Sequence, residues 1–144
     1  MDYTTMAQRL LDKMHMLRKA SPHKHINESL QGEAFILHYI ASHGVDVLPG
    51  EISGEMNVSS ARIAAALNSL EGKGLITRQI DLNNRRQILV NITPEGKALA
   101  DKQQATVMKG ASKMLALLGE QDAREYVRIT CRLAEIMSEN RIEL

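Results

Sequence analysis

Ser59, Ser60 and Arg62 stand at the start of a helical stretch whose outward side is otherwise small: Ala61, Ala65, Asn68, Ser69 and Gly72. Hydroxyls and a guanidinium supply hydrogen bonds there, and the small side chains let another surface come close to the helix backbone. Further along, the polar turn Leu82-Asn83-Asn84-Arg85-Arg86 offers two adjacent cations of the kind that pair with phosphate oxygens. This chemistry suits a polyanion with readable edges, and double-stranded DNA is the partner it implies. No nucleophile, base and orienting group recur in a catalytic pattern, so the chain does not read as an enzyme. Gly72-Lys73-Gly74 lacks the spacing of a phosphate loop and reads as a helix terminus.

The elements that must position these groups follow from periodicity. Met6, Leu10, Met14 and Leu17 form one apolar stripe on a helix over about Tyr3 to Lys19, stopped by Ser21-Pro22. His23 to Ser29 is polar and reads as a loop or frayed turn. A second helix, about Gln31 to His43, buries Phe35, Ile36, Leu37 and Ile40 and ends at Gly44, which accepts a left-handed backbone. Pro49 opens a short helix to about Met56, with Ile52 inward; Gly50 and Gly54 make it dependent on tertiary packing. Asn57-Val58 makes a turn, and Ser59 caps a helix that runs to about Lys73 with Ile63, Leu67 and Leu70 on its buried face. Leu75 to Asp81 and Gln87 to Thr93 read as strands, the second alternating through Ile88, Val90 and Ile92. Thr93 then caps a helix with Pro94 first, running to about Leu118. A last helix, about Gln121 to Asn140, packs Tyr126, Ile129, Leu133, Ile136 and Met137.

This order is the outline of a winged helix-turn-helix: a mainly α fold with a two-stranded β wing, set in an α-helical scaffold. Residues 30–93 form the expected winged unit, and residues 1–29 and 94–144 the expected helical dimerisation region, in one compact protomer. The terminal helices carry more apolar surface than a winged helix needs for its own core. A second copy is the cover this implies, and a two-fold homodimer would set two recognition helices roughly 34 Å apart, one turn of DNA.

The bulk properties agree. With 144 residues, 44% hydrophobic and 24% charged, the chain has an ordinary globular composition. No apolar run approaches the ~20 residues of a membrane span. The first residues lack the basic-then-apolar order of a signal peptide, and the single cysteine, Cys131, excludes an internal disulfide framework, so a cytoplasmic location is expected. The net charge is only +1, yet residues 57 to 97 hold 6 Lys/Arg against 3 Asp/Glu. The positive excess thus sits in the capped helix and wing, where it can attract phosphate.

Glu51-Ile52-Ser53, Asn57-Val58-Ser59-Ser60, Leu70-Glu71-Gly72-Lys73-Gly74-Leu75-Ile76-Thr77-Arg78, Arg85-Arg86 and Ile92-Thr93-Pro94-Glu95-Gly96 resemble, in order and spacing, the MarR-type (multiple antibiotic resistance regulator) winged-helix transcription factors. The resemblance covers nearly the whole chain. It implies six helices and a two-stranded wing, a homodimer formed by the terminal helices, and regulation of transcription, as a repressor, from pseudo-palindromic DNA operators. By position it implies DNA contacts from Ser59, Ser60, Ala61, Arg62, Ala65, Asn68, Arg78, Arg85 and Arg86, with Arg86 at the place of the wing arginine that enters the minor groove. The family wing commonly reads Asp-Pro-x-Asp-x-Arg. Here Leu82 and Asn84 take the places of the proline and second aspartate, which implies a looser wing, because asparagine cannot form the ion pair that holds the arginine.

The resemblance also implies a small phenolic or anionic ligand in the crevice beneath the dimer helices, with Met14, Leu17, Arg18, His38 and Tyr39 in its walls. No cofactor is implied. His15, His23, His25, His38 and His43 lack the spacing of a metal site, and none is expected. Cys131, between Tyr126-Val127 and Leu133-Ala134, reads as a buried, inert thiol. The alternative function is a winged-helix protein-interaction module without specific DNA binding.

Overall fold

The computed structural model describes residues 1–30 and 32–140. Among these, seven helices and two strands follow in the order α1 (Thr4–Lys19), α2 (His23–Ser29), α3 (Gly32–Ser42), α4 (Pro49–Met56), α5 (Ser60–Gly72), β1 (Ile76–Ile80), β2 (Ile88–Ile92), α6 (Pro94–Leu118) and α7 (Glu120–Asn140). The mainly α winged-helix architecture is therefore as expected. Gln31, where the sequence places the start of α3, and residues 141–144 lie outside the described residues.

The core is drawn from the segment that periodicity marks. Ile36, Leu37 and Ile40 of α3 meet Ile52 of α4, Ile63, Leu67 and Leu70 of α5, Ile76 of β1, Val90 of β2 and Val47 of the loop between α3 and α4. Fully burying an aliphatic side chain of this size stabilises by about 1.5–3 kcal/mol, so this cluster fixes α5 against the rest. The strands pair antiparallel with Ile76 opposite Ile92 and Ile80 opposite Ile88. Val47 exchanges both backbone hydrogen bonds with Val90 at 2.9 Å, giving the base of the wing a third, one-residue strand. Asn91 anchors the same loop: its Oδ1 accepts from the Asp46 amide at 2.8 Å and its Nδ2 donates to Asp46 Oδ1 at 2.9 Å.

Helix α5 closes in a Schellman turn. The Leu75 amide donates to the Leu70 carbonyl and the Gly74 amide to that of Glu71, with Gly74 at φ +74°. The chain is thereby turned from α5 into β1 within three residues. Thr93 ends the wing and starts α6: its Oγ1 accepts from the Gly96 amide at 3.0 Å, and its hydroxyl donates to the Gly74 carbonyl at 2.7 Å. Gly96 is required by this junction, because a Cβ there would lie 2.0 Å from the Leu75 carbonyl oxygen. A Gly96→Ala variant should lose about 1–3 kcal/mol through overpacking; an unchanged urea midpoint would contradict the close approach.

Helix α2 is a departure from the sequence reading, which gives His23–Ser29 no regular structure. One aliphatic residue in seven, Ile26, leaves no local period to read. The helix forms because it packs on α6, where Gly110 admits Pro22: a Cβ on Gly110 would come within 2.7 Å of the Pro22 Cβ. The resemblance implied six helices, and α2 is the additional one. At the chain ends the opposite holds: among the described residues neither α1 nor α7 has a buried side chain, with Leu10 60% exposed and Leu133 56% exposed. Helix α1 touches α2, and α7 touches α6.

Candidate nucleic-acid interface

The helix-turn-helix angle is set by short local bonds. Asn57 adopts a left-handed backbone at the end of α4, and the Ser53 hydroxyl donates to the Val58 carbonyl at 2.6 Å, closing the turn. Ser59 Oγ then accepts from the Arg62 amide at 3.2 Å, so the predicted contact residue Ser59 is also the N-cap. With Ile63, Leu67 and Leu70 buried, the exposed side of α5 carries Ser60, Ala61, Arg62, Ala64, Ala65 and Asn68. Ala61 and Ala65, four residues apart, form its crest, with Arg62 on one flank and Asn68 on the other.

Two concavities lie on either side of that crest. One, of 590 Å³, runs between α5 and the wing and is lined by Pro49, Ser60, Ala61, Ala64, Arg78 and Arg86, among others. The other, of 740 Å³, runs between α5 and the first two helices and brings Arg62 together with His15, Arg18, Lys19 and Lys24, opposed by Glu28 and Glu33. Predicted residues Ser60, Ala61, Arg78 and Arg86 thus share one surface. Arg62 faces the second, Arg85 is exposed in the wing turn, and Ala65 and Asn68 lie exposed on the helix.

The wing turn is held by side-chain-to-backbone hydrogen bonds rather than by an ion pair. Asp81 Oδ1 accepts from the Asn83 amide at 2.9 Å and Asn84 Oδ1 from the Arg86 amide at 3.2 Å, both local Asx contacts. The Gln87 amide also donates to the Asn84 carbonyl at 2.9 Å. With asparagine at position 84 the turn is ordered, while the Arg86 guanidinium has no partner among the described residues. Among the described residues, Arg62, Arg85 and Arg86 make no ion pair and no side-chain hydrogen bond. Such cations are available to phosphate.

Arg78 differs from them. Its Nη2 donates at 3.0 Å to both Glu71 Oε1 and Asn68 Oδ1, and its backbone amide donates at 3.0 Å to Glu71 Oε2. Glu71 is held below the usual carboxylate range, chiefly by the hydrogen bond from Arg78. The pair is therefore intact at neutral pH and is released only as acid takes the solution below the ordinary carboxylate range. At the same end of α5, Lys73 pairs with Glu33 of α3 at 2.7 Å and lowers its carboxyl too. Sequence reading missed both carboxylates, because each pairs across a chain reversal rather than at helical spacing.

The five residues expected to wall a ligand crevice are not brought together. Arg18 lines the 740 Å³ cleft, and His38 lines a separate one between α3 and α6. Tyr39 stacks on His43 at 3.7 Å and donates to Glu51 at 3.4 Å. Met14 and Leu17 lie on the exposed stripe of α1. Cys131 is exposed, against the expectation of a buried thiol. It stands seven, three and four residues from Arg124, Arg128 and Glu135, hence on the charged side of α7, and its apolar neighbours Val127 and Leu133 are themselves uncovered. Among the described residues no group of three His, Cys, Asp or Glu side chains is placed to hold a metal ion. No helix among them is long and apolar enough to cross a membrane.

Comparison with known proteins places this geometry. A family model described as a winged helix DNA-binding domain matches residues 33–110, more than half of the chain. The chain is 27% identical over 143 residues to the uncharacterized HTH-type transcriptional regulator YwhA of Bacillus subtilis, covering 94% of this chain and all of that one. Streptococcus pneumoniae FabT, solved in complex with DNA, superposes with a TM-score of 0.70 at 19% identity, over 96% of this chain and 99% of FabT. MarR superposes with a TM-score of 0.65 at 20% identity, over 98% of this chain and 94% of MarR. The chain belongs to the family of winged helix DNA-binding domains and has the MarR-type fold.

Proposed function

We propose that this protein is a sequence-specific DNA-binding transcriptional regulator that acts as a homodimer on a pseudo-palindromic operator, in the role of repressor. The observation that carries the reading is the pairing of a small-faced, exposed α5 crest with a wing whose Arg85 and Arg86 are unpaired among the described residues. In this reading Ser60, Ala61, Arg62 and Ala65 face the major groove. The hydroxyl of Ser59 remains a donor after capping, and Arg85 and Arg86 reach the flanking backbone or minor groove. The FabT complex with DNA supports the same use of this fold. The uncovered faces of α1 and α7 would supply the second-copy contact.

The 740 Å³ cleft, with four cationic or imidazole side chains from α1 and α2 beside Arg62, fits a small anionic ligand, including a phenolate. Such a ligand would relieve repression only through its different affinity for DNA-compatible and incompatible states, and Arg62, which lines the cleft and flanks the DNA-facing crest, would be touched by both ligand and DNA. Arg62→Ala should cost about 1–3 kcal/mol on the preferred duplex and much less on random sequence. Titration of both duplexes with the variant tests this, and an equal loss on the two would remove Arg62 from base reading.

A further inference from the structure

We propose that Glu71 is a positioning residue for DNA binding: through Arg78 it sets the wing against α5, and Arg78 is spent on this clamp rather than on phosphate. The inference rests on the DNA-binding reading above. Its basis is the asymmetry among the arginines. Arg62, Arg85 and Arg86 carry no partner among the described residues, whereas Arg78 is only 24% exposed and holds two acceptors on α5 at 3.0 Å.

Sheet geometry gives Glu71 a second task. Val90, opposite Arg78, spends its backbone amide and carbonyl on Val47, so the Arg78 amide points away from β2, along the open edge of β1. Glu71 Oε2 takes that amide at 3.0 Å while Oε1 takes the guanidinium. One carboxylate in the last turn of α5 therefore fastens both the backbone and the side chain of β1, beside the 590 Å³ cleft that Ser60, Ala61, Arg78 and Arg86 line. Asn68 completes the clamp. Because arginine has no acceptor, the Asn68 oxygen faces it, and the Asn68 amide nitrogen is left as a donor on the exposed side of the helix. Sliding or rotation of β1 along α5 would break three hydrogen bonds at once, so the placement of Arg86 relative to the crest is inherited from Glu71.

The clamp predicts a sign opposite to simple electrostatics. Glu71→Ala deletes a negative charge on a DNA-facing surface and frees Arg78, which by charge alone should tighten binding. Positioning predicts weaker binding instead, by about tenfold or more for the loss of hydrogen bonds to charged groups. The experiment uses the full-length chain and a duplex that the wild-type protein selects from a random library, titrated over a range of salt. Arg78→Met should weaken binding to a similar degree with the salt slope unchanged, and the double variant should be no weaker than the weaker single one. Glu71→Gln, which keeps one acceptor and is the milder perturbation, should lose less, and in it and in Glu71→Ala the Arg78 amide should exchange with solvent faster than in the wild type. Unchanged or tighter binding by folded Glu71→Ala and Glu71→Gln would overturn the clamp, as would a slope about one lower in Arg78→Met, the mark of a lost phosphate contact. Failure of the wild-type protein to bind any duplex would instead overturn the DNA reading itself, and the positioning role with it.

Discussion

A Leu133→Glu variant is expected to sediment as a monomer and to lose binding to a two-half-site duplex by roughly 10²- to 10⁴-fold, the range that linked binding adds over a single module. The stripe Tyr126, Ile129, Leu133 and Met137 runs along α7 at helical spacing, exposed in the protomer, and Met6, Leu10, Met14 and Leu17 repeat the pattern on α1. Soluble monomers rarely leave contiguous apolar faces of this kind uncovered. The winged unit has its own core, centred on Ile40, Ile52 and Val90, which lies apart from α7. The variant should therefore keep its helical content and its weak, salt-dependent affinity for a single half-site. A wild-type protein that is monomeric at micromolar concentration, or a variant that remains dimeric, would contradict the assigned dimer face.

The second large effect belongs to the wing. Arg85 and Arg86 are exposed, adjacent and unpaired among the described residues, on a turn whose backbone is fixed by Asp81 and Asn84. Removing Arg86 should weaken binding to selected and random duplexes alike and lower the salt slope by about 0.9, the contribution of one phosphate contact. The Arg85→Ala/Arg86→Ala pair should lower it by about twice that. This behaviour is the reverse of that expected for Arg62, whose loss falls on the preferred sequence. Measuring log K against log salt for the three variants separates the roles, and an unchanged slope in the double variant would remove the wing from the interface.

The winged unit was legible because its signals are local. Ser59, Gly74, Thr93 and Pro94 mark helix ends through capping chemistry, and Ile63, Leu67 and Leu70 mark one face of α5 by period; all fall where the sequence places them. What was not legible depends on partners distant in sequence. Helix α2 owes its place to α6 and the absent side chain of Gly110. The Glu71–Arg78 and Glu33–Lys73 pairs form only once the Schellman turn and the core have folded the chain back. The five residues grouped for a ligand crevice lie apart within the protomer. His38 and Tyr39 sit on α3 and Met14 and Leu17 on an outward stripe of α1, so residues grouped by analogy are separated by the packing of α2 between them. The apolar neighbours of Cys131 in sequence suggest burial, whereas three- and four-residue spacing puts it with Arg128 and Glu135 on the exposed side of α7.

The central claim is that α5 and the wing, presented twice by a symmetric scaffold, read duplex DNA. Its most direct test is selection of duplexes from a random library by the purified protein, followed by titration of the enriched sequence at increasing salt. An inverted repeat with half-site centres about 10 base pairs apart is expected, with an affinity that falls steeply with salt. Retention of duplexes without enrichment of any repeat, or no binding even at low ionic strength, would contradict it.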